Sequence, residues 1–132
     1  MRVNSRTLFG YLVVSLCCAT HLGAAGDVRL IEAVKSQNVE SVRSLLKTRV
    51  DVNAPQPDGA TALHWAVHQD ALATADLLIR AGARANAANE LGVTPLYLAC
   101  TNRNAAMVKR LLAAGANPYA SDPTFETIRV VK

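Results

Sequence analysis

The sequence predicts an all-α solenoid of about three stacked helix pairs, each pair joined to the next by a hairpin-like turn. Three observations point there. The chain matches itself, without a gap, at one constant step, the interval from Gly59 to Gly92. Within each step, apolar residues recur at helical spacing. Hydrophobic residues make up 51% of the chain but aromatics only 5%, so alanine, valine and leucine carry most of the apolar surface. That set suits close-packed helices better than strands. At 132 residues there is room for one small domain.

The step is seen residue by residue. Besides Gly59 on Gly92, Thr61 falls on Thr94, Leu63 on Leu96 and Ala66 on Ala99. Leu78-Ile79 falls on Leu111-Leu112, and Gly82-Ala83 on Gly115-Ala116. Stepping backwards, Leu63 lands on Leu30, Ala66 on Ala33, and Asn86-Ala87 on Asn53-Ala54. Successive registers at one period mark supersecondary units that hide their apolar faces only by stacking.

The segment 1–25 stands apart. Arg2 and Arg6 are followed by an apolar run from Leu8 to Ala19, and then by "HLGAAG". Gly23 and Ala25 sit at the −3 and −1 positions of a cut before Gly26. This is the layout of a secretory signal peptide over 1–25. The run is too short for a membrane anchor, which needs roughly 20 residues. Neither Leu16 nor Cys17 is the small residue a lipoprotein cut requires before Cys17 or Cys18. Cleavage would leave Cys100 as the sole thiol, so no internal disulfide is expected. Removing Arg2 and Arg6 from 14 Lys and Arg leaves 12 against 10 acidic residues, a net charge of +2. So small an excess argues against nucleic acid as a partner.

The first unit, 26–55, opens with "DVRLIEAVK" and places Val28 where later units carry threonine. With Arg29, Glu32 and Lys35 on its first helix it reads as a polar N-terminal cap. Its second helix carries Val39, Val42, Leu45 and Leu46 on one face, after Asn38 as N-cap. Arg49 stands where a closing glycine is wanted. The second unit, 56–88, has the first helix "ALHWAVH", then Leu72, Ala75, Leu78 and Ile79 on the second, with Asp70 one position early for a cap. The third, 89–121, has Thr94-Pro95, an N-cap followed by proline at the first helical position. Its second helix carries Ala105, Val108, Leu111 and Leu112 after the cap Asn104. Gly82 and Gly115 end the second helices as left-handed residues.

Residues 122–132 start a fourth unit that fails, with Thr127 in register but Phe125 at the glycine position and Arg129 at the leucine position. Apolar surface near Met107, Val108 and Leu111 is therefore expected to be partly exposed. A stack of three units has only a few kcal/mol of stability. A longer natural chain, a strand-like tail or self-association through this end would each cover it.

"GATALHWA", "GVTPLYLA" and "LLIRAGARANA" resemble the ankyrin repeat, over about residues 27 to 121. The resemblance implies an L-shaped stack of antiparallel helix pairs whose turn tips and first helices form a concave recognition surface. It also implies that His64, at the family's histidine position, supports its turn by hydrogen bonds.

The residue pattern excludes several chemistries. His64 and His68 share a helix face, as a zinc site would need, but no third ligand and no HExxH glutamate accompany them. His64 also repeats as Tyr97, a poor substitute for a ligand. There is no phosphate loop, no nucleophile elbow and no close carboxylate pair, so neither an enzyme nor a cofactor is expected. Cys100 repeats Val67 and Val34 and is expected in the core. Trp65, repeated as Leu98 and Glu32, is either packed over the neighbouring unit or an aromatic anchor for a partner.

Function then falls to the surface. Carried over by position, the resemblance gives Asp58, Ala60, Glu90, Leu91 and Val93 at the turn tips. It gives Lys35, Ser36, Trp65, His68, Gln69, Thr101 and Asn102 on the first-helix face. This mixed surface fits a protein partner rather than nucleic acid or, once the leader is gone, a membrane. The expected function is an exported, non-enzymatic protein-binding module, periplasmic in a bacterium and otherwise secreted. The alternative is the recognition part of a larger exported enzyme or effector continuing beyond Lys132.

Overall fold

The computed structural model describes residues 28–120, so the leader and the tail lie outside the described residues. Six helices follow in order: α1 (Arg29–Lys35), α2 (Val39–Lys47), α3 (Ala62–His68), α4 (Leu72–Arg80), α5 (Pro95–Thr101) and α6 (Ala105–Ala113). No strand occurs among the described residues. The architecture is the all-α solenoid expected, three pairs stacked in one row.

Local chemistry sets where each helix begins. The Asn38 side chain accepts from the Ser41 N–H at 3.0 Å, and Asn104 does the same for Met107 at 3.0 Å. Thr94 accepts from the Tyr97 N–H at 3.2 Å, with Pro95 in the first turn, where its missing N–H costs nothing. Asp70 does not cap α4. It takes a left-handed φ of 55°, as do Gln37 and Arg103 at the same step, and Ala71 becomes the N-cap. Gly82 and Gly115 close α4 and α6 with φ of 95° and 88°. Behind them the Ala83 and Ala116 N–H groups reach back to Leu78 and Leu111 at 2.9 Å, the 6→1 bond of a Schellman ending. Arg49 adopts the same left-handed turn (φ 59°) without the glycine that makes it cheap.

Packing follows the repeat. Within each unit the two helices pack together, and α1, α3 and α5 also form a row in close contact. The second helices meet one another more loosely, so the outer row splays and the first-helix side is the concave one. Ala33, Ala66 and Ala99 are buried in every unit, small residues where the first helices approach closely. Leu30, Val34, Leu63, Val67 and Leu96 fill the space between them, while Val42, Ala75, Leu78, Met107 and Leu111 seal the second helices.

Polar bonds as well as apolar contacts join the units. The Asn53 amide donates to Gly82 O at 3.1 Å and accepts from the Arg84 N–H at 2.8 Å. Asn86 repeats this with Gly115 O at 2.9 Å and the Asn117 N–H. Arg110 on α6 pairs with Asp76 on α4.

Two expectations are corrected at the end of the stack. Cys100 is exposed, although its counterparts Val34 and Val67 are buried. The earlier two valines are covered by the following unit, and Cys100 has none among the described residues. Met107 and Leu111 are fully buried, because α6 turns them toward α4 and α5. The surface left open belongs instead to Tyr97 and Leu112, with Val108 half-buried beside them.

Candidate functional site: the hairpin tips and the Trp65 cleft

The site begins with two stacked turns. In the first, Gln56 N–H donates to Ala60 O at 2.8 Å, and Gly59 N–H to Gln56 O at 2.8 Å. In the second, Asn89 N–H donates to Val93 O at 3.0 Å, and Gly92 N–H to Asn89 O at 2.9 Å. Side-chain acceptors brace both: Asp58 takes the Ala60 N–H at 3.0 Å, and Asn89 takes those of Leu91 and Val93 at 3.0 and 2.9 Å. Such Asx bonds hold a turn in one shape. The Glu90 N–H then donates to Asp58 O at 2.9 Å and stacks one tip on the other.

His64 ties this ledge to the helices. Its Nδ1 accepts from the Thr61 N–H at 3.1 Å, closing a capping box at the start of α3. Its Nε2 lies 3.0 Å from Val93 O in the next turn. With Nδ1 accepting, the neutral tautomer leaves Nε2–H to donate to Val93. Burial holds the His64 pKa below its ordinary value, outweighing the hydrogen bond to Val93 and the charge of Asp58. A neutral, doubly bonded ring is a structural strut, as the family resemblance implied.

Trp65 is half-buried beside this strut. Its indole N–H donates to Gln56 Oε1 at 2.7 Å, the Lys35 ammonium lies 4.6 Å from the ring centroid, and the His68 ring meets it edge-on at 5.9 Å. Trp65 thus packs over unit one through Lys35, as the first of its two readings has it, and it also borders a cleft. That cleft, about 170 Å³, is lined by Asp58, Trp65, His68, Asn89, Val93 and Leu98 among others.

The remaining predicted surface residues divide by what the structure does with them. Leu91 is 86% exposed at the second tip, and Asp58, Glu90, Ser36, His68 and Thr101 are also exposed. Ala60 is buried and contributes only to the lining of the cleft. The Gln69 amide donates to Lys35 O at 3.0 Å, and Asn102 donates to Val67 O at 3.0 Å and His68 O at 3.3 Å. These two amides join one unit to the next. Gln56 and Asn89, which place Trp65 and the second tip, were not singled out by the sequence. Their shared register, one repeat step apart, was the available signal.

Among the described residues no group of three His, Cys, Asp or Glu could hold a metal ion. No helix among them is long and apolar enough to cross a membrane.

The family described as ankyrin repeats (3 copies) matches residues 30–122. The chain belongs to the ankyrin-repeat family. Among its relatives is human protein phosphatase 1 regulatory subunit 27, 31% identical over 97 residues, which are 73% of this chain and 63% of that protein. Zygote-specific protein 3 of Chlamydomonas reinhardtii is 33% identical over 116 residues, 87% of this chain and 31% of the other. The Drosophila melanogaster palmitoyltransferase Hip14 is 32% identical over 94 residues, 70% of this chain but only 15% of that enzyme. The ankyrin chain thus spans less than two thirds of each relative. The shared part is the repeat stack, a protein-interaction module.

Proposed function

We propose that this chain is an exported, non-enzymatic ankyrin module that grips a protein partner with its turn tips and first-helix face. One observation carries the reading: an almost wholly exposed leucine, Leu91, projects from a tip braced beside a fixed tryptophan, Trp65. Isolated exposed leucines are ordinary on a protein surface, but one on a rigid ledge next to an anchored indole is a hot-spot arrangement. The mixed charge of the ledge supports a protein rather than a polyanion. Kinship with a phosphatase regulatory subunit supports a regulatory or adaptor role.

Leu91→Asp removes contact area without touching the buried core, whereas Trp65→Ala removes a half-buried ring packed against the core's edge. Partner captured from the exported fraction is expected to bind each variant at least about tenfold more weakly, a loss of about 1.4 kcal/mol, while helicity is unchanged. Unaltered affinity in both would remove this surface from consideration. Export rests on the three-part layout of residues 1–25 and is tested by intact mass, since a secreted product that retains Met1 refutes cleavage.

A second reading has its own support in the palmitoyltransferase kinship, where the matched stack is a small share of an enzyme. In that reading the chain is the recognition portion of a larger exported enzyme or effector. A reading frame running past Lys132 into further folded sequence would favour it.

A further inference from the structure

We propose that the Trp65 cleft is a subsite for one arginine side chain of an extended basic peptide segment in the partner, its guanidinium facing Asp58 and Glu90. The inference rests on the concave-face reading above and specifies the chemistry that face selects.

Size comes first. At about 170 Å³ the cleft is well below the roughly 300–1,000 Å³ of cofactor and small-molecule pockets, and fits a single side chain. Its walls come next. Trp65, Val93 and Leu98 supply apolar and aromatic surface for an aliphatic stem or a planar cation. The indole needs no rearrangement to receive it, because Gln56, Lys35 and His68 already hold it on three sides.

Charge then chooses between an apolar and a cationic occupant. Asp58 lines the cleft and is exposed, and Glu90 is exposed on the tip whose backbone is bonded to it. Neither carboxylate makes an ion pair among the described residues. The cation that touches the indole, Lys35, is already matched by Glu32 at 3.3 Å. Asp58 spends one oxygen on the Ala60 N–H, which fixes the carboxylate and leaves its other oxygen as an acceptor. One fixed carboxylate beside an aromatic wall, with a second on the adjoining tip, favours arginine over lysine, since a guanidinium can stack and form two hydrogen bonds at once.

Trp65 is the only tryptophan in the chain, so its emission reports the cleft directly. The probe is the blocked pentapeptide Ac-Ala-Ala-Arg-Ala-Ala-NH2, set against the same peptide with citrulline, which keeps the shape and loses the charge. The arginine peptide is expected to change Trp65 emission saturably at about millimolar concentration, with citrulline at least about tenfold weaker. Added salt should narrow that gap. The double variant Asp58→Asn, Glu90→Gln keeps the oxygen that braces the Ala60 turn, and is expected to bind both peptides alike. Equal binding of the two peptides to the unaltered protein, no saturable change with either, or a preference that survives the double variant would each overturn the proposal. Partner capture separates the two levels. If Trp65→Ala releases the protein partner while the double variant retains it, the concave-face reading stands and the arginine subsite falls.

Discussion

His64 and Tyr97 occupy the same place in successive units, yet one is buried and the other is 54% exposed. Val67 and Cys100 show the same divergence one turn later. Nothing in the local helices explains it, since α3 and α5 have equal length and both begin at a threonine cap. The difference is the neighbour. His64 reaches across to Val93 in the next turn, and Val67 sits under α5. The third unit has no such cover among the described residues. In a solenoid, burial is a property of the joint between units rather than of the residue's place within one.

The most forceful way to break that comparison is to truncate one leucine at a joint and one at the open end. Leu78 on α4 is fully buried between α4 and its neighbours, whereas Leu112 on α6 is 45% exposed. Leu78→Ala should cost about 2–5 kcal/mol, enough to unfold much of a three-unit stack. Leu112→Ala should stay within about 0.5 kcal/mol. Urea titration followed by circular dichroism measures both. Equal losses would mean that the exposed end is covered in solution.

A subtler contrast lies in the turns. Gly59 and Gly92 both have left-handed φ, 79° and 75°. A Cβ on Gly59 would meet Asn89 Cα and Glu90 N at 3.1 Å, while one on Gly92 meets nothing within 4 Å. Alanine at either position incurs the backbone strain of about 1 kcal/mol. Only Gly59→Ala also wedges the stacked turns apart, adding about 1–2 kcal/mol. A ratio near unity in the same titration would show that the turns are not pressed together. Because Asn89, against which that Cβ would press, lines the Trp65 cleft, Gly59→Ala should disturb Trp65 emission and Gly92→Ala should not.

How far the sequence carried this picture depends on the range of each interaction. Asn38, Asn104, Gly82 and Gly115 were legible because capping and left-handed closure need only a few neighbouring residues. Arg49 could be placed as a missing glycine, since its backbone geometry comes from its unit and not from its side chain. Cys100 was misplaced in the core because alignment transfers a position but not the presence of a following unit. Asp70 does stand one position ahead of the cap, Ala71, but its partners, the Asn102 and Asn104 amides of the next unit at 3.2 and 3.1 Å, lay beyond local reading. The bond from Trp65 to Gln56 joins a helix to the turn before it, a meeting that no periodicity encodes. What stays hidden in the sequence is thus the set of contacts made beyond a helix and its immediate neighbours, above all those across joints.

The gentlest test of the joint uses protons. His64 has a lowered pKa because it is buried, so the unfolded chain binds a proton more readily than the folded one. Stability therefore rises with pH across the interval between the two pKa values. The neutral ring's contribution is fully present above the unfolded value of about 6.5, and is lost progressively as pH falls toward and through the folded value. Protonation would also put a second N–H on Nδ1, facing the Thr61 N–H that this nitrogen now accepts. The capping box and the link to Val93 should weaken together. A urea midpoint measured from pH 7.5 down to 5 is expected to decline, with a shallower decline in His64→Gln, which keeps a polar group and cannot titrate. Matching slopes in the two proteins would move the acid sensitivity away from this joint. The histidine would then be a strut whose charge state the stack does not feel.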